Sequence, residues 1–313
     1  MPGQLAFVFP GQGSQHVGML QELCNDEDGV VRDTFAEAAD ALGEDLWPLI
    51  AEGPEAELGR TENTQPALLA ASVALWRVWG GEGGRQPDWL AGHSLGEYSA
   101  LVAAKALAFD DAIRLVRARG QLMQEAVPAG EGLMAAILGL DDEVVERVCD
   151  AAAQGQVVQA ANYNAPGQVV IAGSRAAVER AVEGAKAAGA KRALPLAVSA
   201  PSHCLLMRGA AERLKSLLVD LNIQPPQIPV IHNVDASVVC DSEGIRQRLV
   251  DQLFQPVQWT ASVRRLAAEG VSHQIECGPG KVLTGLVKRI DKAIVASAIN
   301  DRESIEAAKR ATA

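Results

Sequence analysis

The pentapeptide GHSLG at residues 92–96 constrains the fold more than any other part of the sequence. It follows a short apolar run that begins at Trp89 and leads into helix-like residues 95–107. Glycine at both flanking positions lets the chain turn sharply, because no Cβ atom crowds the turn. A strand–turn–helix unit of this kind exposes the Ser94 hydroxyl and points the N–H of Leu95 at any oxyanion formed there. The pattern predicts Ser94 as a nucleophile; the alternative is a glycine-rich turn whose serine caps a helix.

Apolar runs alternate with helix-like segments through the first part of the chain. Residues 5–9 (LAFVF) are continuously apolar, as in a strand that is buried on both faces. Residues 65–79 look helical, and Pro66 is expected in the first turn, where its missing N–H costs little. Repetition of strand, turn and helix predicts an α/β fold with a largely parallel sheet.

The pattern changes after Pro128. The order strand, helix, strand, strand, helix, strand is typical of a ferredoxin-like unit. We therefore predict a ferredoxin-like small domain at 128–198, inserted into a discontinuous catalytic domain of residues 1–127 and 199–313. The predicted strands of the insert are 132–140, 157–162, 168–172 and 191–198, and its helices are 141–153 and 174–188.

Composition excludes several classes of protein. Lys and Arg number 28 against 39 Asp and Glu, a net charge of −11, which argues against nucleic acid as the main partner. No apolar run approaches the roughly 18 residues of a membrane span. The five cysteines are odd in number and lack CxxC spacing, so neither a disulfide framework nor a zinc site is expected. We expect a cytoplasmic protein that binds no metal.

A nucleophilic serine needs a general base, and five histidines are available. His203 lies between a predicted strand and a predicted helix, where the active-site loops of parallel sheets gather. His232 lies inside a predicted strand (228–234), where a hydrogen-bonded core histidine is expected. Position therefore favours His203. No acidic residue stands out as a third member of the site, and His16, His93 and His273 are less well placed.

Arg119 carries a second, independent signal. When residues 113–125 are plotted as a helix at about 100° per residue, Arg119 falls inside the apolar arc, whereas Arg114 and Arg117 fall on the solvated side. A charge in the apolar arc must be paired, because burying it alone is costly. Either a salt bridge to a buried Asp or Glu, or an anionic substrate held by the planar guanidinium, satisfies this requirement.

The loop PGQGSQ at residues 10–15 resembles a phosphate-binding loop only superficially. His16 stands where GxGxxG needs its third glycine, and the Gly-Lys-Ser/Thr ending of a nucleotide loop is missing. The two glycines still let the backbone approach a substrate closely. The backbone N–H of Gln12 is therefore a candidate oxyanion donor. Cys204, next to His203, is expected to be a buried residue rather than a nucleophile.

Seven segments together resemble the malonyl-CoA:acyl carrier protein transacylases of bacterial type II fatty acid synthesis. The resemblance runs from about residue 4 to residue 300. The segments occur in the family's order: FVFPGQGSQ at 7–15, GHSLGEYSAL at 92–101, Arg119 in RGQLMQ, NAPGQVVI at 164–171, APSH at 200–203, QPVQW at 255–259 and GPGKVLTGL at 278–286.

The resemblance implies an α/β-hydrolase-like large domain with a ferredoxin-like insert. It implies Ser94 as nucleophile, His203 as base and Arg119 as the ligand of the substrate carboxylate. It further implies that a backbone carbonyl, at Gln252, orients the histidine, and that the N–H groups of Gln12 and Leu95 bind the oxyanion. The implied reaction is ping-pong transfer of malonyl from malonyl-CoA, through a serine ester, to the phosphopantetheine thiol of acyl carrier protein.

The partners follow from the same resemblance. We expect malonyl-CoA and acyl carrier protein as partners, no nucleic acid or membrane, no cofactor, and a monomer. Carrier proteins of this class are strongly acidic, so a local basic patch should offset the chain's own negative charge. Lys281, Lys288 and Arg289 are the first candidates, with Arg114 and Arg117 next; the alternative is a solvated helix face whose cations near the C-terminal end complement the helix dipole. A thioesterase or esterase shares GxSxG, and an acyltransferase that serves a polyketide synthase shares every motif, so both remain alternatives.

Overall fold

The computed structural model describes residues 3–26, 28–196, 198 and 200–313. Ala197, inside the predicted strand 191–198, and Ser199, the predicted start of the second catalytic segment, lie outside the described residues. The strands of the described part are β1 (Gln4–Phe9), β2 (Trp89–Gly92), β3 (Gly132–Leu138), β4 (Val158–Ala165), β5 (Gln168–Ser174), β6 (Arg192–Pro195), β7 (Val230–Ile231), β8 (Val271–Cys277) and β9 (Val295–Ile299).

Helices pack against both sheets. A 3₁₀ turn, Leu205–Met207, precedes the tenth α-helix. The α-helices of the described part are α1 (Gln21–Cys24), α2 (Val30–Leu42), α3 (Trp47–Glu52), α4 (Glu55–Leu58), α5 (Thr61–Gly81), α6 (Gly96–Ala103), α7 (Phe109–Glu125), α8 (Asp142–Ala153), α9 (Arg175–Ala187), α10 (Arg208–Val219), α11 (Ser242–Gln252), α12 (Trp259–Ala268), α13 (Val282–Ile290) and α14 (Arg302–Thr312).

Strand β1 lies in the middle of a five-stranded parallel sheet of order β7-β2-β1-β8-β9. Its alternate side chains pack into different cores, because successive residues of a strand point to opposite faces. Phe7 contacts Trp76 and Trp79 of α5 edge to face, with ring centroids 5.4 and 5.1 Å apart. Ala6 and Val8 belong to a second core, which includes residues of α12 and α13. Two-sided burial explains the continuous apolar run.

The second sheet is antiparallel, with the order β4-β5-β3-β6. Helices α8 and α9 pack on one face through their own hydrophobic core. The other face contacts Cys204 and Leu206, at the start of the α10 region. This is the strand order of a ferredoxin-like unit, so the predicted fold class is confirmed. The limits of the two domains stay a prediction.

The QPVQW segment joins the two sheets. Val257 exchanges two backbone hydrogen bonds with β4: its N–H donates to Ala161 O, and its carbonyl accepts from Tyr163 N–H, both at 2.9 Å. The segment therefore extends the edge of the antiparallel sheet from the large domain.

Several local predictions were wrong. Helix α5 begins at Thr61, so Pro66 lies inside the helix and not in its first turn. The helix residues before Pro66 are all polar, although Thr61, Thr64 and Gln65 are buried, so a search for apolar positions did not include them. The strand predicted at 228–234 is only Val230–Ile231. No prediction covered α1–α4, β9 or α14. None of the helices in the described part is long and apolar enough to cross a membrane.

Candidate active site

The turn between β2 and α6 holds Ser94 in the left-handed region, with φ of 53°. Both flanking glycines are sterically required. A Cβ atom on Gly92 would lie 1.9 Å from the carbonyl carbon of Gly96, and one on Gly96 would lie 2.0 Å from the oxygen of Phe9. Strained backbone held by close packing is common at functional sites. The GHSLG pattern therefore folds as the predicted sharp turn, and Ser94 lies where β2 ends.

His203 meets Ser94 although the two are 109 residues apart in the chain. The Nε2 atom of His203 lies 2.8 Å from Ser94 Oγ, and its Nδ1 atom lies 2.6 Å from the backbone oxygen of Gln252. A carbonyl oxygen can only accept, so Nδ1 carries the proton and Nε2 is free to accept one from serine. The structure brings these three predicted residues together in the predicted order.

The imidazole of His203 is electrically neutral at physiological pH. Burial lowers the pKa of His203 to about 3, and the positive charge of Arg119 acts in the same direction. A neutral imidazole can take a proton, which is what a general base must do. The backbone carbonyl of Gln252 replaces the usual carboxylate, so the absence of a marked acid in the sequence has a structural explanation.

Arg119 is almost fully buried, at 1% exposure, and faces the same serine. Its Nη1 donates to Gln65 Oε1 at 2.8 Å, and its Nη2 donates to Gln252 Oε1 at 2.9 Å and to Ser94 Oγ at 3.3 Å. All of these acceptors are uncharged. Within the described residues, Arg119 forms no salt bridge, so the structural ion pair that the sequence left open is not found. A buried cation without a carboxylate is suited to an anionic ligand.

Two backbone donors line the cavity beside Ser94. The N–H groups of Gln12 and Leu95 were predicted as the oxyanion donors, and neither has a hydrogen-bond partner in the described part of the chain. The N–H of Ser94 itself is occupied, because it donates to Asn233 Oδ1 at 2.7 Å. The loop after β1 and the start of α6 therefore present free donors close to the serine, as an oxyanion site requires.

The cavity has a volume of about 200 Å³ and a mixed lining. His93 lies on its wall and not against the serine: its Nε2 atom is 2.8 Å from Asn164 Oδ1. Apolar side chains complete the wall, including those of Met123, Met134, Val170, Leu196 and Val198. The combination of a few polar groups and an apolar wall is typical of a small-molecule site.

His232 and Cys204 are buried, as the sequence suggested, although His232 follows β7 and does not lie inside a strand. His232 is fully buried, and its Nδ1 atom lies 2.7 Å from Glu97 Oε1. His273 lies on β8 and contacts Ser272. Cys204 is fully buried, and burial raises the pKa of its thiol to about 12, so it is a poor nucleophile.

Sequence analysis missed four polar residues of the site: Gln65, Glu97, Asn164 and Asn233. Gln65 holds Arg119, and Asn233 holds the backbone of Ser94. Glu97 lies in the first turn of α6, and seven of the eight residues of that helix are buried, all except Val102. A polar side chain on an apolar helix face was the signal that singled out Arg119. The same test would have found Glu97.

A family model described as acyl transferase domain matches residues 6–311. The malonyl CoA-acyl carrier protein transacylase of Salmonella typhimurium is 58% identical over 97% of this chain and 98% of its own length. The chain belongs to the malonyl CoA-acyl carrier protein transacylase family. The Bacillus subtilis member is 51% identical, over 97% of this chain and 96% of its own length.

Solved structures of family members have the same fold. An acyl carrier protein S-malonyltransferase from Vibrio cholerae superposes with a TM-score of 0.95 at 57% identity, covering 98% of this chain and all of that one. A malonyl-transacylase solved in complex with a type II polyketide-synthase acyl carrier protein gives a TM-score of 0.97 at 56% identity, covering 98% and 99% of the two chains. As a transacylase family member, the chain is an acyltransferase enzyme.

Proposed function

We propose that the enzyme transfers malonyl from malonyl-CoA to the phosphopantetheine thiol of acyl carrier protein in fatty acid biosynthesis, through an ester on Ser94. One observation carries the proposal. The Ser94 oxygen lies within hydrogen-bond distance of a neutral base, His203, and of a buried cation, Arg119, that has no carboxylate partner among the described residues. The nucleophilic oxygen, Ser94 Oγ, is therefore in contact with both the proposed base and the proposed receptor of the acyl carboxylate.

The first half-reaction forms the ester. His203 Nε2 takes the hydroxyl proton as Ser94 Oγ attacks the thioester carbonyl of malonyl-CoA. The negative oxygen of the tetrahedral intermediate accepts hydrogen bonds from the N–H groups of Gln12 and Leu95. When the intermediate collapses, the carbon–sulfur bond breaks, His203 returns the proton to sulfur, and free CoA leaves.

Arg119 selects the acyl group in this scheme. The free carboxylate of malonyl accepts two hydrogen bonds from the guanidinium, whose orientation is held by Gln65 and Gln252. The guanidinium is almost fully buried, so solvent screens its charge weakly and the attraction is strengthened. An acetyl group has no carboxylate and receives none of this stabilisation.

The second half-reaction repeats the first with another thiol. His203 takes the proton of the phosphopantetheine thiol, sulfur attacks the ester carbonyl, and Ser94 leaves with that proton. Every proton in both half-reactions has a donor and an acceptor among Ser94, His203 and the two thiols. The proposed reaction therefore uses no metal and no other cofactor.

The carrier is proposed to dock beside α13. Lys281 precedes this helix, and Lys288 and Arg289 lie in its last turn; all three are exposed. Val282 and Leu286 of the same helix line the cavity, so cations on α13 lie near its mouth. The reserve candidates are less suitable, because Arg114 forms salt bridges with two aspartates and Arg117 with Glu44.

We further propose a cytoplasmic monomer. The proposed site is complete within one chain, so no second copy is needed to supply a catalytic group. All five cysteines are unpaired, including the exposed Cys240, and free thiols suit a reducing compartment.

The test is the intact mass of the protein after it is mixed with malonyl-CoA. We expect one malonyl adduct, located on Ser94 by peptide mapping and absent from Ser94→Ala. The adduct should disappear, and the carrier should gain the same mass, when holo acyl carrier protein is added. Free malonate in place of a loaded carrier would identify a hydrolase. Equal rates with fatty-acid and polyketide carriers would contradict the assignment to fatty acid synthesis.

A further inference from the structure

Glu97 is a fully buried carboxylate that lies behind the nucleophile and takes no part in the proposed chemistry. It belongs to the first turn of α6. One oxygen, Oε1, lies 2.7 Å from His232 Nδ1. The other, Oε2, accepts from the backbone N–H of Asn233 at 3.1 Å and from Gln252 Nε2 at 2.6 Å. A buried carboxylate needs such donors, but these three donors also belong to segments that build the site.

The contacts of the Gln252 side chain fix which end of its amide faces which way. Its nitrogen lies against two groups that can only accept, Glu97 Oε2 and the backbone oxygen of Ser94 at 3.0 Å. The NH₂ end must therefore point towards Glu97. The amide oxygen is then left to face Arg119 Nη2, which has only protons to offer.

A reversed amide would disable the carboxylate receptor. It would place the NH₂ group of Gln252 against the guanidinium of Arg119, donor against donor, and its oxygen against the carboxylate of Glu97, acceptor against acceptor. Without Glu97, the Ser94 carbonyl would be the only acceptor left to the NH₂ end among its contacts in the described residues. That carbonyl also accepts a hydrogen bond from the backbone N–H of residue 97 at 3.1 Å, so by itself it would orient the Gln252 amide only weakly.

We infer that Glu97 is a positioning residue of the acyl transfer, which fixes the Gln252 amide so that its oxygen holds Arg119 ready for the acyl carboxylate. This inference rests on the proposed function. Glu97 touches no substrate atom and acts through Gln252. The competing explanation is that the carboxylate only stabilises the fold, by tying α6 to the segment around Asn233. A structural role of that kind would affect every acyl substrate equally.

Two substitutions separate these explanations. Glu97→Met has similar volume and no acceptor, so it frees the Gln252 amide. Glu97→Gln keeps one acceptor oxygen, and the fixed N–H of Asn233 draws that oxygen to the side that Gln252 uses. The new NH₂ group then faces His232 Nδ1, which can accept if the imidazole proton moves to Nε2, an atom that has no partner in the described part.

The measurement is single-turnover loading of Ser94 by malonyl-CoA and by acetyl-CoA. We expect Glu97→Met to lower kcat/KM for malonyl-CoA about 10- to 100-fold, the range for one misplaced buried hydrogen-bond partner, and to change acetyl loading by less than about threefold. Glu97→Gln should stay within about threefold of the wild type for both substrates.

A double-mutant cycle tests whether the effect passes through Gln252. In a Gln252→Ala background, which keeps the backbone carbonyl, Glu97→Met should lower malonyl loading no further. Glu276→Met is the matched control. Glu276 is also a fully buried carboxylate, but it holds the start of α13 by accepting from the backbone of Leu283 and Thr284. Its effect should be independent of Gln252.

Two results would overturn the inference: an equal loss for malonyl and acetyl in Glu97→Met, or the same loss with and without the Gln252 side chain. If Glu97→Met does not fold, as judged by its thermal transition, Glu97→Asp takes its place, because it keeps the charge and withdraws it by one methylene. Failure of the wild type to load malonyl would refute the proposed function itself, and so the two failures are distinguishable.

Discussion

Replacing Arg119 by alanine tests the assignment of the acyl carboxylate most directly. The guanidinium is buried at 1% exposure, and its two Nη atoms donate to the side-chain oxygens of Gln65 and Gln252 and to Ser94 Oγ. Alanine removes the charge and the fork, and leaves two amide oxygens without their donor. The second loss does not depend on the substrate, whereas the first matters only for an acyl group that carries a carboxylate.

The expected loss of activity in Arg119→Ala follows from the burial and hydrogen bonds of the guanidinium. Removing one partner of a buried, hydrogen-bonded charge pair costs about 2–5 kcal/mol, and each 1.36 kcal/mol is about tenfold in rate. We therefore expect kcat/KM for malonyl-CoA to fall about 30- to 5,000-fold in Arg119→Ala. Acetyl-CoA should lose less than about tenfold, because it shares only the disturbance of the two glutamines. The ratio of the two values isolates the carboxylate contact.

The assay is the rate of ester formation on Ser94, followed by intact mass at several concentrations of each acyl-CoA. Arg119→Lys keeps a charge but not the planar fork, so it should recover only part of the malonyl rate. Arg117→Ala is the matched control on the same helix. The side chain of Arg117 donates to Asn63 and Glu44, and it does not line the cavity.

An equal loss for malonyl and acetyl in Arg119→Ala would refute the reasoning. It would mean that the guanidinium maintains the packing of α5 against α7 and has no contact with the acyl group. A malonyl-specific loss in Arg117→Ala would refute it as well, since that side chain lies outside the cavity.

Further predictions concern the rest of the site. Ser94→Ala and His203→Ala should each lower loading by several orders of magnitude, with the double variant little slower, because paired groups are not additive; a full product of the two losses would contradict the pairing. Since the pKa of His203 is lowered to about 3, the base stays unprotonated in mild acid, so the loading rate should fall less than threefold between about pH 7.5 and 5; a midpoint near pH 6.5 would contradict this. Exchanging Lys281 and Lys288 for Glu should raise the carrier KM most at low salt and change loading from CoA less; an unchanged KM would place docking elsewhere. Gly96→Ala should give little folded protein by thermal denaturation, because its Cβ would meet the Phe9 carbonyl; a wild-type transition would refute the close approach.

Much of the fold could be predicted because the positions of its strands and helices are marked by local patterns of apolar residues. The order of strands and helices in the insert follows from the alternation of apolar runs and amphipathic segments, and the observed sheet order β4-β5-β3-β6 agrees. The run at residues 5–9 is apolar at every position because both faces of β1 are covered. Helices such as α2 and α14 were not predicted, although each buries a regular face.

Some residues of the candidate site could be predicted from the sequence, and others could not. Ser94 was predictable from its two glycines, because a turn so tight has few sequence solutions. Arg119 was predictable as unusual, since a charge stood at an apolar helix position, but its partner was not. The amide oxygens of Gln65 and Gln252 come from helices 54 and 133 residues away, and no local pattern connects them to it.

The sequence by itself determined the turn that exposes Ser94 and the alternation of strands and helices that builds the two sheets. It also showed that Arg119 places a charge on the apolar side of its helix. These features depend on neighbours within one or two turns of the chain. The contact of the Gln252 carbonyl with His203 was expected only from the family resemblance, and the tertiary structure alone revealed that Glu97 lies behind both residues. The physical reason is that a backbone carbonyl has no side-chain identity to read, and a buried hydrogen-bond network exists only once distant segments have packed together.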